Sequence, residues 1–343
     1  ISYRNCRAIP ALLKLFDEIL MNARDNSILP QNPTTIIKVD LSSDGISVAN
    51  NGECIPVKLQ GDEYIPSLVF FKLLTSEHYD DSKTRVSAGL NGYGCKLVSI
   101  FSSSITVECH DPGRGLLLEQ TYTENMTVTD GPKIRKKKKN TFTTKVTFTP
   151  DTKFFPKWNN NVNMALFRRR VLDVAATHPH VKVYLNGSRV PSGFKRYMSM
   201  FTKDKHVLIA TDKWDVGLAL SPTETFMNVS FVNGIHTAKG GAHVMCITDQ
   251  LTTHIQSILR KRSKSTSKLS KRNIMHKLFV FINATVENPH FGSQTKEEMT
   301  TEIISPPKMT RDTVAKAIKT CGILAELEAW LAQKELSSLH KKM

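Results

Sequence analysis

The chain has 343 residues, of which 40% are apolar and 23% charged, and carries a formal net charge of +16. At roughly 150 residues per domain that length implies about two domains, and the composition excludes collagen-like, mucin-like and wholly disordered chains. The longest apolar run, Pro66 to Leu74, is interrupted by Lys72 and is far shorter than the ~20 residues of a membrane span, so no membrane partner is expected. The first residue is Ile1 and the opening residues read as mid-domain sequence, so the chain is expected to be part of a longer protein. Two segments hold almost all of the charge excess: six of the seven residues Lys133–Lys139 are basic, and Arg260–Lys277 has eight basic residues and no acid. Each reads either as a solvated loop or as a contact for a polyanion, most simply nucleic acid. None of the six cysteines is spaced as C-x-x-C and no histidine completes a zinc pattern, so reduced, mostly buried thiols are expected.

Pro10 opens a helix. Leu12, Leu15, Phe16, Ile19, Leu20 and Ala23 recur at helical spacing and form its core face. Glu18, Asn22, Asp25 and Asn26 form a second stripe beside the first, with Asn22 and Asn26 expected to be partly desolvated at its edge. One reading is a polar flank or helix cap; the other is a ligand or metal face, since partly buried amides and carboxylates need partners. Strand-like Thr35–Leu41 and Ile46–Val48 lead to Asn50-Asn51-Gly52-Glu53-Cys54-Ile55-Pro56, where Asn-Gly marks a tight turn. Helical Pro66–Leu74 precedes a polar stretch and then Gly89-Leu90-Asn91-Gly92-Tyr93-Gly94-Cys95-Lys96. Glycines before a helix permit close backbone approach and aim free N–H groups at an anion, yet this spacing fits neither the Rossmann nor the Walker pattern.

Strands are expected at Ser104–Cys109, Leu116–Tyr122 and Thr141–Phe148, a helix at Val162–Thr177, and a strand at Val181–Leu185 ending in an Asn186-Gly187 turn. The class is therefore α+β. Beyond about Lys195 the strands Val207–Ala210, Val216–Leu220 and Val229–Val232 precede a long helix that starts after Gly240-Gly241. The basic segment, an apolar strand at Leu278–Ile282 and one final helix from Thr313 to about Leu339 follow. Strand–helix–strand implies a right-handed βαβ crossover.

Taken together, the E-x-x-x-N helix, the N-N-G-x-x-I-P turn and the G-x-N-G-x-G-x-K loop resemble the Bergerat (GHKL) nucleotide-binding fold. FDEILMNARDN (16–26), LLTSEHYDD (73–81), GLNGYGCKL (89–97), SFVNGIHTAKGGAHV (230–244) and NATVENPHFGSQTKEEMT (283–300) closely resemble the eukaryotic-type DNA topoisomerase II family. That resemblance implies a GHKL ATPase domain over 1–194, an α/β sandwich, and a transducer domain over 195–343, related to a ribosomal-protein domain. It implies ATP and Mg²⁺ as cofactors, duplex DNA as partner, an ATP-closed homodimer and a nuclear location, with mitochondrial or viral origin as alternatives.

Residue by residue, Glu18 resembles the general base that activates water, and Asn22 the Mg²⁺ ligand. Asn50 resembles the adenine reader, and Asn26, Ser76, Glu77 and His78 fall at nucleotide-contacting positions. Ile55, Val69 and Phe70 are expected to wall the base. Asn91, Gly92, Tyr93, Gly94, Cys95 and Lys96 are expected to wrap the triphosphate, and Thr147 matches a pocket threonine. Gln294 and Lys296 resemble the loop that reaches the γ-phosphate, with Lys296 offsetting transition-state charge. Arg260, Lys261, Arg262, Lys264, Lys268, Lys271 and Arg272 are expected to face captured DNA. Cys54 replaces a family glycine, Leu90 and Leu29 stand where arginines are expected, and Glu77 and His78 replace a serine and an asparagine. ATP binding is expected to survive these departures with altered inhibitor fit; Cys54, Leu90 and Glu77 argue for the alternative of a DNA-binding clamp with a degenerate nucleotide site, and a mismatch-repair ATPase is the other alternative.

Overall fold

The computed structural model describes residues 8–72, 94–203, 205–262, 269–293 and 295–340. The chain divides into two compact units, Tyr3–Gly193 and Phe194–Met343.

In the first unit, α1 (Pro10–Asp25) starts with proline at its first turn, where no N–H is needed, and buries Leu12, Leu15, Phe16, Ile19, Leu20 and Ala23. The hairpin β1 (Ile36–Leu41) and β2 (Ile46–Asn50) is followed by the small ribbon β3 (Leu59–Gln60) and β4 (Glu63–Tyr64). Two short helices come next, α2 (Ile65–Phe71) and α3 (Gly94–Ile100). Then come β5 (Ser102–Asp111), β6 (Leu116–Thr123), β7 (Val128–Thr129), β8 (Lys133–Lys136) and β9 (Thr144–Pro150). Helix α4 (Asn161–Thr177) is capped by the Asn160 carboxamide, which accepts from Asn163 N. The hairpin β10 (Lys182–Leu185) and β11 (Ser188–Arg189) ends the unit and turns at Asn186-Gly187, both at positive φ.

These strands form a nine-stranded sheet in the order β11-β10-β1-β2-β9-β5-β6-β7, with β8 also on β6. Ile37, Val39, Ile46, Val48, Ile105, Val107, Val146 and Phe148 are buried at alternate positions of their strands, which gives the sheet a core face. Helix α1 packs on α3, α4 and β2. Phe16 meets Phe167 of α4 with ring centroids 5.0 Å apart. Beside it, the buried Arg170 donates to Asp17 of α1 and to Asp173, each at 2.6 Å. Burial opposes the Arg170 charge, but the two carboxylates more than offset this and raise its pKa. Phe16 and Asp17 therefore fix the rotation of α1 about its axis, and with it the direction of Glu18 and Asn22.

In the second unit α5 (Phe194–Met198) precedes β12 (His206–Ala210), β13 (Trp214–Leu220), β14 (Met227–Val232), β15 (Ile235–His236) and β16 (Gly240–Gly241). After α6 (Ala242–Arg262) come α7 (Lys271–Met275), β17 (Leu278–Ala284), β18 (Glu298–Met299), α8 (Arg311–Thr320) and α9 (Ile323–His340). The sheet order is β12-β13-β17-β14-β15, with β14 and β17 parallel neighbours and α6 in the connection between them. Val244, Ile247, Leu251, Ile255 and Ile258 of α6 join Val216, Val280 and Ile282 of the sheet, and Val314, Ile318 and Leu327, in one core. No described helix is long and apolar enough to cross a membrane.

Three local expectations change. The terminal helix is two helices, because Gly322 adopts φ 77° and closes the first one, a left-handed conformation that costs other residues ~1–2 kcal/mol. Residues 133–136 are a strand rather than a loop, paired through the backbone with β6. The strand expected over Thr141–Phe148 is displaced to Thr144–Pro150.

Replacing Arg170 with Met leaves the fully buried Asp173 without its guanidinium. The expected cost is ~3–5 kcal/mol in a denaturant titration of this unit. A cost below ~1 kcal/mol would show that the ion pair does not hold α1 to α4.

Candidate active site

Glu18 lies on the flank of α1, half-buried. Its Oε1 accepts from Lys14 Nζ at 2.9 Å, one turn earlier on the same helix. Its other oxygen lies against Gly94, the first residue of α3: a Cβ built there would be 2.0 Å from Glu18 Oε2. Any side chain at 94 would displace the carboxylate, so the last glycine of the loop is set by Glu18 as well as by the helix start. Lys14 is a site residue that the sequence motifs do not include, and its only signal there is the i,i+4 spacing to Glu18.

Asn22 is exposed rather than partly desolvated as expected, because it sits one turn further along the open flank. Its Nδ2 donates to Cys95 Sγ at 3.0 Å. Burial of that sulfur pushes the thiol up to about 12, so it accepts as a neutral thiol.

Asn26, at the end of α1, is half-buried. Its Oδ1 accepts from Glu53 N at 2.9 Å and from Thr34 Oγ1 at 3.0 Å, and its Nδ2 donates to Glu53 O at 3.1 Å. One carboxamide thus holds the turn after β2 by both backbone groups of one residue. The packing is close enough that a Cβ at Gly52 would be 1.8 Å from Asn26 Oδ1 and 2.4 Å from Thr34 Oγ1. Glycine is required there by this approach and not by a positive φ.

The turn itself is fastened from every side. Asn50 is buried, and its Nδ2 donates to Thr34 Oγ1 at 3.1 Å. Thr143 Oγ1 donates to Gly52 O at 2.8 Å, and Thr143 N to Asn50 O at 3.0 Å. Asn51 Oδ1 accepts from Thr35 N and Ile36 N and ties the turn to the start of β1. Val57 N donates to the buried Asp111 carboxylate at 3.0 Å. Burial opposes the Asp111 charge, but bonds from Arg114 and from backbone N–H groups prevail and lower its pKa. Thr34, Thr143 and Asp111 carry no signal in the sequence, since each is one polar residue in an ordinary strand or loop. Cys54 stands in the turn half-buried, its thiol pushed up by burial and by the neighbouring Asp111 and Glu53 charges.

On α3, Lys96 is buried, and its Nζ donates to Val69 O of α2 at 2.7 Å; desolvation lowers its pKa. Phe70 is buried and Val69 and Ile55 are half-buried. Thr147 lies within the sheet, its Oγ1 3.4 Å from Ser47 Oγ on β2. The structure therefore brings Glu18, Asn22, Gly94 and Cys95 together, and separately Asn26, Asn50 and the turn. Ser76, Glu77, His78, Asn91, Gly92, Tyr93 and Gln294 lie outside the described residues, as do Leu90, Lys264 and Lys268.

In the second unit Lys296 is buried at φ 58°, and its backbone N donates to Ser293 O. The next residues are clamped. Lys239 pairs with Glu297 at 2.8 Å, and Gly240-Gly241 ladder onto Glu298-Met299, where a Cβ at Gly241 would be 2.1 Å from Met299 O. Arg260, Lys261 and Arg262 form the exposed last turn of α6, and Lys271 and Arg272 begin α7, so only part of the basic segment lies between helices. Arg262 pairs with Glu328 at 2.8 Å and Lys271 with Asp249 at 3.4 Å, in exposed geometry.

Known proteins share this framework. Residues 181–335 match the DNA gyrase B family model. DNA topoisomerase 2-beta of Gallus gallus is 38% identical over 98% of this chain and 22% of its own length. DNA topoisomerase 2 of Caenorhabditis elegans is 39% identical over 99% of this chain and 23% of its own. The solved ATPase and transducer domains of DNA topoisomerase II from Balamuthia mandrillaris superpose with a TM-score of 0.89 at 38% identity, over 97% of this chain and 88% of that one.

The chain belongs to the DNA topoisomerase II family.

It spans under a quarter of the length of these full-length topoisomerases. The ATPase region of Saccharomyces cerevisiae topoisomerase II bound to ICRF-187 is also similar, with a TM-score of 0.87, 36% identity and coverage of 96% and 88%. The 43K ATPase domain of Thermus thermophilus gyrase B shares the fold at 17% identity and a TM-score of 0.61. The expected architecture, a GHKL unit followed by a transducer, is that of this topoisomerase II region. A domain of this kind binds nucleotide.

Asn26→Ala removes three hydrogen bonds at ~1 kcal/mol each, so a total near 3 kcal/mol is expected, together with faster amide exchange at Glu53. Unchanged exchange at Glu53 would show that the turn does not depend on this carboxamide.

Proposed function

We propose that the chain is the ATP-binding and ATP-hydrolysing gate of a type IIA DNA topoisomerase, in which ATP closes a homodimer around duplex DNA in the nucleus. Residues 1–194 act as the ATPase domain and 195–343 as the transducer. The observation that carries this reading is the carboxylate of Glu18 seated against Gly94, the last glycine of the G-x-N-G-x-G loop.

Glu18 is the general base. Oε1 is engaged by Lys14, which leaves Oε2, on the loop side, to take the proton of a water attacking the terminal phosphorus. Lys14 fixes the carboxylate without touching the reacting atoms, so it is a positioning residue. Asn50, held by Thr34, is the adenine reader, and Ile55, Val69 and Phe70 are the residues assigned to the apolar wall of the base. Lys96 is the cation assigned to the phosphates, by leaving the Val69 carbonyl for a stronger acceptor.

The residues present also suit magnesium. That ion takes one or two protein ligands and completes its shell with phosphate and water oxygens. Asn22 is exposed and its Nδ2 donates to Cys95, which leaves Oδ1, to which no described residue donates, as the ligand atom proposed for the ion. Bound there, magnesium would neutralise phosphate charge. Among the described residues no cluster of three His, Cys, Asp or Glu side chains offers a competing site.

Glu18→Gln is expected to lower phosphate release by ~10²–10⁴-fold while calorimetry with Mg²⁺ shows ATP affinity unchanged. Turnover equal to that of the parent chain would remove Glu18 from the catalytic role.

A further inference from the structure

The basic run at residues 133–139 has no part in the nucleotide site, yet the fold holds it in place. Strand β8 pairs with β6 in the register Lys133–Glu119, Ile134–Leu118, Arg135–Leu117 and Lys136–Leu116. Past the strand, Lys137 N donates to Gly115 O and Lys137 O meets His110 Nε2, both at 2.8 Å. His110 is buried, and its own N donates to Thr143 O, the residue that fastens the Asn50–Gly52 turn. Every one of these attachments uses the backbone of the basic segment. None of them uses a lysine side chain.

The charges divide in two. Lys133 pairs with Asp130 at 3.2 Å and Arg135 with Glu119 at 3.3 Å. Lys136, Lys138 and Lys139 are exposed and Lys137 half-buried, and no described carboxylate pairs with any of the four. Four consecutive cations repel one another, so an ordered segment that keeps them carries an electrostatic cost with no internal return. Their Cα atoms span at most ~11 Å, and a duplex presents one phosphate charge per ~1.7 Å of axis. A membrane surface would call for apolar anchors beside the cations, and β8 offers Ile134 alone.

We propose that Lys136–Lys139 form a contact for the phosphate backbone of duplex DNA, on the ATPase unit and separate in sequence from the basic segment Arg260–Arg272. The inference rests on the reading of the chain as a DNA topoisomerase fragment. Binding there is independent of base sequence, because lysine offers point charges and no planar fork for base edges.

The test uses the whole chain with Lys136→Ser, Lys137→Ser, Lys138→Ser and Lys139→Ser combined. Binding of a short labelled duplex, in two unrelated sequences, is followed by anisotropy from ~50 to ~200 mM salt. The plot of log affinity against log salt is expected to become shallower by ~0.9 for each phosphate that the variant no longer neutralises, equally for both sequences. ATP affinity is expected to stay as it was. An unchanged slope overturns the proposal. So does an unchanged slope together with capture of the parent segment by a nuclear-import receptor, which would make the run a targeting signal instead. If the fourfold variant does not fold, Lys138→Ser with Lys139→Ser, both beyond the last backbone anchor, is read in the same way. Failure here is distinguishable from failure of the wider reading: Glu18→Gln reports on hydrolysis alone, and the salt slope on DNA alone.

Discussion

A carboxylate pressed against a residue that has no side chain organises the first unit. Glu18 Oε2 occupies the space a Cβ at Gly94 would need, so the proposed general base and the first residue of α3 share one contact. That contact is possible because α1 cannot rotate. Phe16 is locked into Phe167, and Asp17 is bonded to the buried Arg170, so the next residue in sequence must leave the core along the loop side. Three consecutive residues of one helix thus take three places: apolar packing, buried ion pairing and the contact with Gly94, where the proposed general base sits. The separation follows from ~100° of rotation per residue.

The second organising feature is the turn after β2. Its polar groups are satisfied by Asn26, Thr34, Thr143 and Asp111, which come from four different parts of the chain. A turn fixed this way presents Asn50 with little freedom, which is the condition for reading a base edge without an ordering cost at binding. Cys54 is accommodated half-buried in this turn. The Asn26 clamp on Glu53 and the Asp111 clamp on Val57 are both formed beside it.

Much of this is legible in the residues. The core stripe of α1 and the alternating strands rest on periodicities of 3.6 and 2, which sequence displays directly, and the parallel pair around α6 follows from the strand–helix–strand order. Where sequence falls short, the reasons are physical. Lys14 falls on the polar stripe of α1 but lies before its first acid, so the stripe alone does not mark its bond to Glu18. Arg24 and Arg170 look like surface cations in sequence; Asp25 and Asp173 are local partners that sequence could offer, but Asp17 reaches Arg170 from another helix, which only tertiary packing supplies. A run of basic residues suggests a loop because charge repulsion disfavours a strand, but over Lys133–Lys136 the backbone bonds of β8 to β6 outweigh it. The break at Gly322 is hidden by the apolar stripe that continues across it, since α8 and α9 contribute to the same core. Arg262 and Lys271 look like free charges in a run without acids, and each has a carboxylate partner far away in sequence.

The most direct measurement is a crystal structure of this chain with a non-hydrolysable ATP analogue and Mg²⁺. The account predicts Glu18 Oε2 within hydrogen-bonding distance, ~2.6–3.2 Å, of a water in line with the terminal phosphorus, and Asn22 Oδ1 on the metal. A bound analogue whose terminal phosphate sits away from Gly94, with Glu18 paired to Lys14 and no water between carboxylate and phosphorus, would contradict it.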